Sequence, residues 1–262
     1  MKNHILVFIL SFLIVGCKKE IPIINQNSYS LVKKVGGYKI DDKYKQFNNG
    51  SDAVFDISLS HIPNVNREEF SSVFQGSITH RQLMCGGTLK LNTLSLKCND
   101  KSYMQKVDDV EVVKSFFGKE MLYSLSGENG VNSFEYRLSV PKYIEMTSPK
   151  KGKGFEETFI KKGDVVSWNA DNNNSNGVLI MVSWNGSTKS SLTGGKSVLN
   201  YNIVPDDGNE TLSEAYFENI PVDALLTVTI MRGNFEYFKN TDGITYQLIA
   251  RSESTISCVV GK

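Results

Sequence analysis

The sequence has almost no net charge and few histidines or cysteines, the side chains that most often bind zinc. Its formal net charge is +1, which argues against nucleic acid as a partner. Its three histidines lack a second ligand at a spacing such as His-x-x-x-His, and no Cys-x-x-Cys pair occurs. The Gly-x-Ser-x-Gly elbow of serine hydrolases is also missing. We therefore predict a protein that is not an enzyme and holds neither a metal ion nor a cofactor.

Long apolar runs are also scarce. The run from residue 5 to residue 15 is too short to span a bilayer but has the length of a signal-peptide core, and no later run reaches transmembrane length. It is followed by Gly16 and Cys17. Residues 13–17 resemble the lipobox of bacterial lipoproteins. The resemblance implies that residues 1–17 comprise a signal peptide, cleaved after Gly16, and a lipidated Cys17 whose acyl chains anchor the protein in the outer membrane. An ordinary signal peptide beside a chance cysteine is the alternative.

Cysteine is rare as well, with four residues in the chain. If Cys17 carries lipid, three thiols remain in a compartment that permits disulfides, and this odd number leaves at least one thiol free. Cys85 and Cys98 flank a predicted hairpin as diagonal neighbours, roughly 7 to 8 Å apart, and a bulge at the adjacent glycines would close the gap. We predict a Cys85–Cys98 disulfide, with three free thiols as the alternative. Cys258 shares strand parity with apolar neighbours and is expected to be free and buried.

Alternating apolar residues indicate an all-β fold with minor helix, divided into two β-rich domains. Residues 18–28 have the composition of a tether, 29–141 form the predicted N-terminal domain, and Pro141 marks the boundary. We predict a strand over 52–60, a short helix from Asn66 to Phe74, and a hairpin turning at Asn92 and Thr93. A bulged single strand is the alternative to that hairpin. Residues 112–117 favour a strand over a helical turn, and 121–140 predict a second hairpin.

The second predicted domain, residues 142–262, contains eight strand patterns separated by turn signals, which fits an immunoglobulin-like β-sandwich. The patterns cover residues 143–146, 165–168, 178–184, 198–203, 211–217, 225–231, 244–250 and 255–260. The segments 140–144, 168–171 and 176–178 resemble those of two-domain β-sandwich lipoproteins of Bacteroidota. That group has no known activity, so the resemblance implies a fold but no site.

Three polar loops of the second domain are the candidate ligand or interdomain segments. If the eight strands alternate in direction, the loops 171–177, 205–210 and 232–243 lie at one end of the sandwich and face the first domain. They would bring four acids to the junction: Asp171, Asp206, Asp207 and Asp242. These carboxylates either hydrogen-bond their own turns, which is favoured, or jointly hold a calcium ion.

Aromatic residues provide the other candidate site. Phe235 and Tyr237, together with Phe238 and the two tryptophans, have the flat faces that stack on sugar rings. Strand parity favours core packing for Trp168 and Trp184, because each shares its face with valines.

These observations predict a lipid-anchored envelope protein that binds or scaffolds without catalysis, with the membrane as partner through Cys17. It would lie at either the periplasmic or the surface face of the outer membrane, with a glycan or another envelope protein as a further partner. One alternative is a glycan-binding accessory protein of a polysaccharide uptake system. A second alternative is a hydrolase whose carboxylate pair the sequence does not locate.

Overall fold

The fold is all-β, as the alternating sequence pattern predicts. The computed structural model describes residues 51–63, 69–79, 84–150, 158–191 and 196–261, and the backbone of residues 30–33. One α-helix, α1 (Val110–Lys114), and one short 3-10 helix (Glu214–Phe217) occur in these ranges. The predicted signal peptide and tether lie outside the described residues.

Sixteen strands are described. In chain order they are β1 (Ser30–Lys33), β2 (Ala53–Ile62), β3 (Glu69–Ile78), β4 (Leu89–Leu91), β5 (Leu94–Leu96), β6 (Ser102–Lys106), β7 (Glu120–Leu125), β8 (Phe134–Ser139), β9 (Met146–Ser148), β10 (Phe159–Ile160), β11 (Val165–Trp168), β12 (Val178–Thr188), β13 (Val198–Val204), β14 (Asn209–Thr211), β15 (Ala224–Lys239) and β16 (Thr245–Val260).

One large sheet organises the molecule. Its strand order is β13-β12-β15-β16-β2-β3-β6, with β1 added to β15 and β10 added to β16. Most neighbours are antiparallel, but β2 runs parallel to β16, from the pair Ala53 and Tyr246 to the pair His61 and Ser254. Two smaller sheets, β5-β4-β7-β8 and β14-β11-β9, complete the described strands.

Side chains alternate between the two faces of the large sheet along β15 and β16, so the even-numbered residues of both strands lie on one face. Both small sheets pack on this face. The even-numbered residues of these strands line two separate cores. The first core, beneath the β5-β4-β7-β8 sheet, receives Phe238, Tyr246, Leu248 and Ala250. The second core, beneath the β14-β11-β9 sheet, receives Leu226, Val228, Ile230, Ile256, Cys258 and Val260. The molecule therefore has two cores, and the same two long strands form part of both.

The large sheet crosses the boundary predicted at Pro141. The two cores do divide near this position, since the first includes Val140 and the second begins at Ile144. However, β2 from the N-terminal half pairs with β16 from the C-terminal half along nine residues of each strand. The division into two independent domains stays a prediction, and the immunoglobulin-like topology of the second half is not confirmed.

The two hairpins predicted in the N-terminal half are confirmed. Leu89 pairs with Leu96 and Leu91 with Leu94 around the Asn92 turn. Asn92 has a φ of 48°, a left-handed conformation that asparagine tolerates. The second hairpin joins β7 to β8, with Leu125 opposite Phe134.

Two other elements of this half were predicted wrongly. Residues 69–78 form strand β3 instead of the end of a helix, because they pair with β2 along ten residues and turn Phe70, Phe74 and Ile78 towards the first core. At Gly76 a side chain would collide with the Phe55 ring. Residues 110–114 form α1 instead of a strand, because Asp109 accepts a hydrogen bond from the Val112 amide and caps the first turn.

The strand pattern of the second half also needs correction. Most of the predicted loop 232–243 is strand, since β15 continues to Lys239, and the separate patterns 244–250 and 255–260 belong to one strand, β16, which is unbroken from Thr245 to Val260. The segment 211–217 ends its strand at Thr211 and then forms the 3-10 helix. The strand predicted at 143–146 begins only at Met146. By contrast, 165–168 is a strand as predicted, and the pattern of 178–184 belongs to β12, which is an inner strand.

The structure contains the predicted Cys85–Cys98 disulfide, with the two Cα atoms 5.7 Å apart. Tyr103 supports this end of the first core, because its hydroxyl accepts from the Gly86 amide and donates to the Gly87 carbonyl. Cys258 is a free thiol in the second core, as predicted.

Candidate functional site

A strip of buried polar side chains separates the two cores, and we call this strip the seam. Its centre is Arg232 on β15, whose side chain has no exposed surface. The guanidinium lies 2.5 Å from the Asp206 carboxylate and donates to the carbonyl oxygens of Asn169, Lys142 and Tyr143. A buried arginine is stable only when such partners replace its lost water.

The seam immobilises the segment that connects the two halves of the chain. Ser252 and Ser254 on β16 accept hydrogen bonds from the amides of Ile144 and Met146, at 2.9 and 3.1 Å. Asn169 adds two contacts, since its side chain accepts from the Glu145 amide and donates to the Tyr143 carbonyl. Residues 142–146 are therefore held to three other parts of the chain.

His61 extends the seam onto β2. Its Nδ1 lies 2.8 Å from the Ser254 hydroxyl, and its ring stacks on Phe70 at a centroid distance of 4.6 Å. The Lys114 ammonium lies over the same Phe70 ring, 3.5 Å from its centroid. His61 is itself buried, with 2% of its surface exposed.

A polar cleft of about 430 Å³ opens beside the seam, and we call it the seam cleft. The loop 171–177 forms one wall, while the other wall comes from the ends of β7 and β8. Its lining consists of Gly118, Lys119, Glu120, Ser139, Val140, Pro141, Lys142, Asp171, Asn173, Asn174, Ser175, Asn176, Asn234 and Glu236. A second, shallower cleft lies on the opposite side of the same loop, against residues 203–207.

Three carboxylates reach the seam cleft, and they differ in their partners. Asp171 accepts from the Lys142 amide at 2.9 Å and from the Asn173 amide at 3.3 Å, so both oxygens fix the backbone. Glu236 is buried and accepts a hydrogen bond from the Tyr136 hydroxyl. Glu120 is exposed and lies 3.8 Å from Arg137. Glu120 and Glu236 are thus the carboxylates that a ligand in the cleft can meet.

The four acids predicted to meet at the junction do not form one cluster. Asp171 and Asp206 do come together, because the Asp171 amide donates to the Asp206 carboxylate at 3.3 Å. Asp207 is exposed and accepts from the Asn209 amide in its own turn. Asp242 lies at another contact between the two halves, where it accepts from the Asn132 amide.

Hydrogen bonding explains the acids better than the calcium alternative. Asp206 already faces a cation, Arg232, and it also accepts from Trp168 Nε1 and the Asn174 side chain. Within the described ranges, no group of three or more His, Cys, Asp or Glu side chains is arranged to hold a metal ion. The third predicted loop is mostly strand, and only residues 240–243 form the turn between β15 and β16.

The predicted aromatic platform is not formed. Phe235 and Tyr237 are 2% and 6% exposed and lie on the opposite face of the large sheet, in a third apolar cluster. Phe238 belongs to the first core. Trp168 and Trp184 belong to the second core, as their strand parity predicted. These rings therefore have no free face for a sugar.

Sequence reasoning missed most of the seam. Arg232, Glu236, Ser252 and Ser254 were assigned to loops or left unassigned, although all four occupy even positions of the long strands. That shared parity was the available signal, because it places them on the same face as the apolar residues of both cores.

Cys17 and His80 lie outside the described residues. No helix in the described ranges combines the length and apolar composition that membrane crossing requires. No protein-family model matches the chain, and no curated protein or solved structure shows significant similarity to it.

Proposed function

We propose that this protein is a lipid-anchored outer-membrane protein that binds or scaffolds other envelope components without catalysis. The acylated Cys17 would hold it at the membrane, at either the periplasmic or the surface face. Support for the anchor comes from residues 13–17 and their resemblance to the lipobox.

One observation carries the binding or scaffolding role: the connection between the two halves is clamped at the seam. Four backbone amides of residues 142–146 and the Asn169 side chain donate five hydrogen bonds within this strip, and Arg232 donates three more to backbone carbonyls. A hinge between moving domains would expose its backbone to water, whereas here the backbone is tied to β15 and β16. Such a junction suits a protein that presents surfaces in a fixed geometry.

The anchor is tested with Cys17→Ala. We expect the wild-type protein to enter the detergent phase and to take up labelled fatty acid, and the variant to do neither. The matched control is Cys258→Ala, which removes a buried thiol and should leave both properties unchanged. If Cys17→Ala still partitions into detergent and is labelled, the lipid anchor is wrong.

A second candidate is a hydrolase that acts in the seam cleft, because two carboxylates, Glu120 and Glu236, line the same cavity. The test is release of reducing ends from neutral polysaccharides by the wild-type protein and by Glu236→Gln. Activity that Glu236→Gln abolishes would favour the hydrolase. Equal signal from wild type, variant and a protein-free blank would exclude it for these substrates.

A further inference from the structure

We propose that the seam cleft binds a neutral saccharide through hydrogen bonds alone, without an aromatic stacking surface. This inference rests on the proposed binding role and names the ligand class and the site. It differs from the aromatic segment 234–238, because Phe235 and Tyr237 are buried on the other face of the large sheet.

The charges of the cleft oppose one another, so neither strong anions nor strong cations are selected. Lys119 and Lys142 are exposed at the lining and contribute positive charge. Of the three carboxylates, Asp171 is occupied by two backbone amides and Glu120 lies near Arg137. A phosphate or polyanion would meet Glu236, and a polycation would meet the two lysines.

The remaining lining suits hydroxyl groups, each of which both donates and accepts a hydrogen bond. Side-chain amides and hydroxyls have the same double capacity. Asn173, Ser139 and Ser175 line the cleft with exposed side chains, whereas the amides of Asn174, Asn176 and Asn234 in the same lining also hydrogen-bond within the protein. Most small-molecule pockets are mainly apolar, whereas here only Val140 and Pro141 have large apolar side chains. A ligand rich in hydroxyls therefore fits this lining better than an apolar one.

The loop that carries these amides is fixed before any ligand arrives. Asn174 donates to the Gly177 carbonyl and to Asp206, and its side-chain oxygen accepts from the Asn176 amide. Gly177 has a φ of 76°, and any side chain there would collide with the Val204 carbonyl. Because the loop is already ordered, binding loses little conformational entropy. The cavity volume of about 430 Å³ is also within the range of small-ligand sites.

The test is calorimetric titration of the full acylated chain in lauryldimethylamine oxide, a detergent without a sugar headgroup. The neutral probes are cellotetraose, xylotetraose and mannotetraose. The charged probes are tetragalacturonate and fully deacetylated chitotetraose. We expect at least one neutral probe to bind more tightly than both charged probes, with an affinity that changes less than twofold between 50 and 500 mM salt.

Two leucine variants in the same loop locate the binding site. Asn173→Leu changes an exposed residue of the seam cleft, and we expect it to weaken binding at least tenfold. Asn172→Leu is the matched control, because Asn172 is also exposed but lines the second cleft and not the seam cleft. We expect this control to bind within twofold of the wild-type protein.

Three results would overturn the proposal: no binding of any probe at 10 mM, tighter binding of a charged probe, or equal loss in both leucine variants. These results leave the membrane anchor untouched, because detergent partitioning of Cys17→Ala measures it separately. Failure of the saccharide proposal and failure of the proposed lipid anchor are therefore distinguishable.

Discussion

At the scale of single residues, Arg232 is the strongest determinant of the seam. A guanidinium without exposed surface loses its hydration, and its contact with Asp206 compensates only while both partners remain. The other three acceptors are backbone carbonyls, which carry no full charge. Loss of the Asp206 charge should therefore leave a buried positive charge uncompensated.

We predict that Asp206→Asn lowers the free energy of unfolding by about 3–5 kcal/mol, the usual cost of breaking a buried ion pair. Urea denaturation followed by tryptophan fluorescence measures this change. The matched control is Glu214→Gln, which breaks the exposed ion pair with Lys162 and should leave the urea midpoint unchanged. Equal effects of the two substitutions would contradict a stabilising role for the buried pair.

Cys258 gives a residue-scale prediction about pH. Burial raises the pKa of its thiol from 9.0 to about 12. Below pH 9 the thiol is protonated in both the folded and the unfolded state, so it has no effect on stability. Between pH 9 and 12 the unfolded state releases a proton that the folded state retains. Rising pH therefore favours unfolding, by up to about 1.4 kcal/mol per pH unit.

The measurement compares urea unfolding at pH 8 and pH 10 for two chains that both carry Cys17→Ser. One chain keeps Cys258, and the other has Cys258→Ala. We expect the chain with Cys258 to lose about 1 kcal/mol more between the two pH values. Buried tyrosines such as Tyr123 are present in both chains, so their titration cancels in the comparison. Equal losses would show that burial of the thiol does not affect its ionisation.

At the scale of secondary-structure elements, local signals predicted more than nonlocal ones. Both hairpins of the N-terminal half follow from leucine or aromatic alternation around a turn, which is information within 20 residues of the chain. Strand β3 was missed because Ser72 and Gly76 interrupt its apolar face, and at Gly76 the Phe55 ring of β2 occupies the space that a side chain would take. Helix α1 was missed because valine favours strands, while the capping carboxylate of Asp109 favoured the helix.

The seam could not be predicted for a related reason. Polar residues such as Arg232 and Glu236 normally indicate solvent, and the sequence does not show that two small sheets cover the same strand. By counting alternating strands, the sequence predicted that three loops bring Asp171, Asp206, Asp207 and Asp242 to one junction. Only Asp171 and Asp206 meet there, because their two turns lie at the same end of the β12–β13 pair.

The disulfide joins the start of β4 to the end of β5 and is the element-scale feature that experiment can remove most simply. We predict that Cys85→Ser with Cys98→Ser lowers the free energy of unfolding by about 3 kcal/mol, as expected for a separation of 13 residues. Urea denaturation with and without reductant measures this change in the free energy of unfolding. Reduction should lower the stability of the wild-type protein by a similar amount and leave the double variant unaffected. Sensitivity of the double variant to reductant would contradict this assignment.

At the scale of the whole molecule, the two cores share the same two long strands, β15 and β16. Strand β15 contributes Ile230 to the second core and Phe238 to the first, and β16 contributes to both in the same way. Hydrogen bonds and the Arg232–Asp206 ion pair also cross the polar seam between them. Unfolding one core would expose half of each long strand and the buried Arg232, so neither core is expected to unfold alone.

We predict one cooperative thermal transition for the described fold, in spite of its two cores. Leu138 and Leu212 provide a matched pair of probes, since both are fully buried and each lies in a different core, outside the shared strands. Leu138→Ala and Leu212→Ala should each lower the free energy of unfolding by about 2–5 kcal/mol. Differential scanning calorimetry should show a single endotherm that both substitutions shift downward, with equal calorimetric and van't Hoff enthalpies.

The double variant that combines Leu138→Ala with Leu212→Ala tests the single transition more strictly. Because the two leucines lie in different cores, their effects on a single transition should add within about 0.5 kcal/mol. Two independent domains would behave differently: the scan would resolve two endotherms, Leu138→Ala would shift one, and Leu212→Ala would shift only the other. That outcome would restore the boundary at Pro141 as a true domain boundary, and it would mean that the seam joins two separately stable folds.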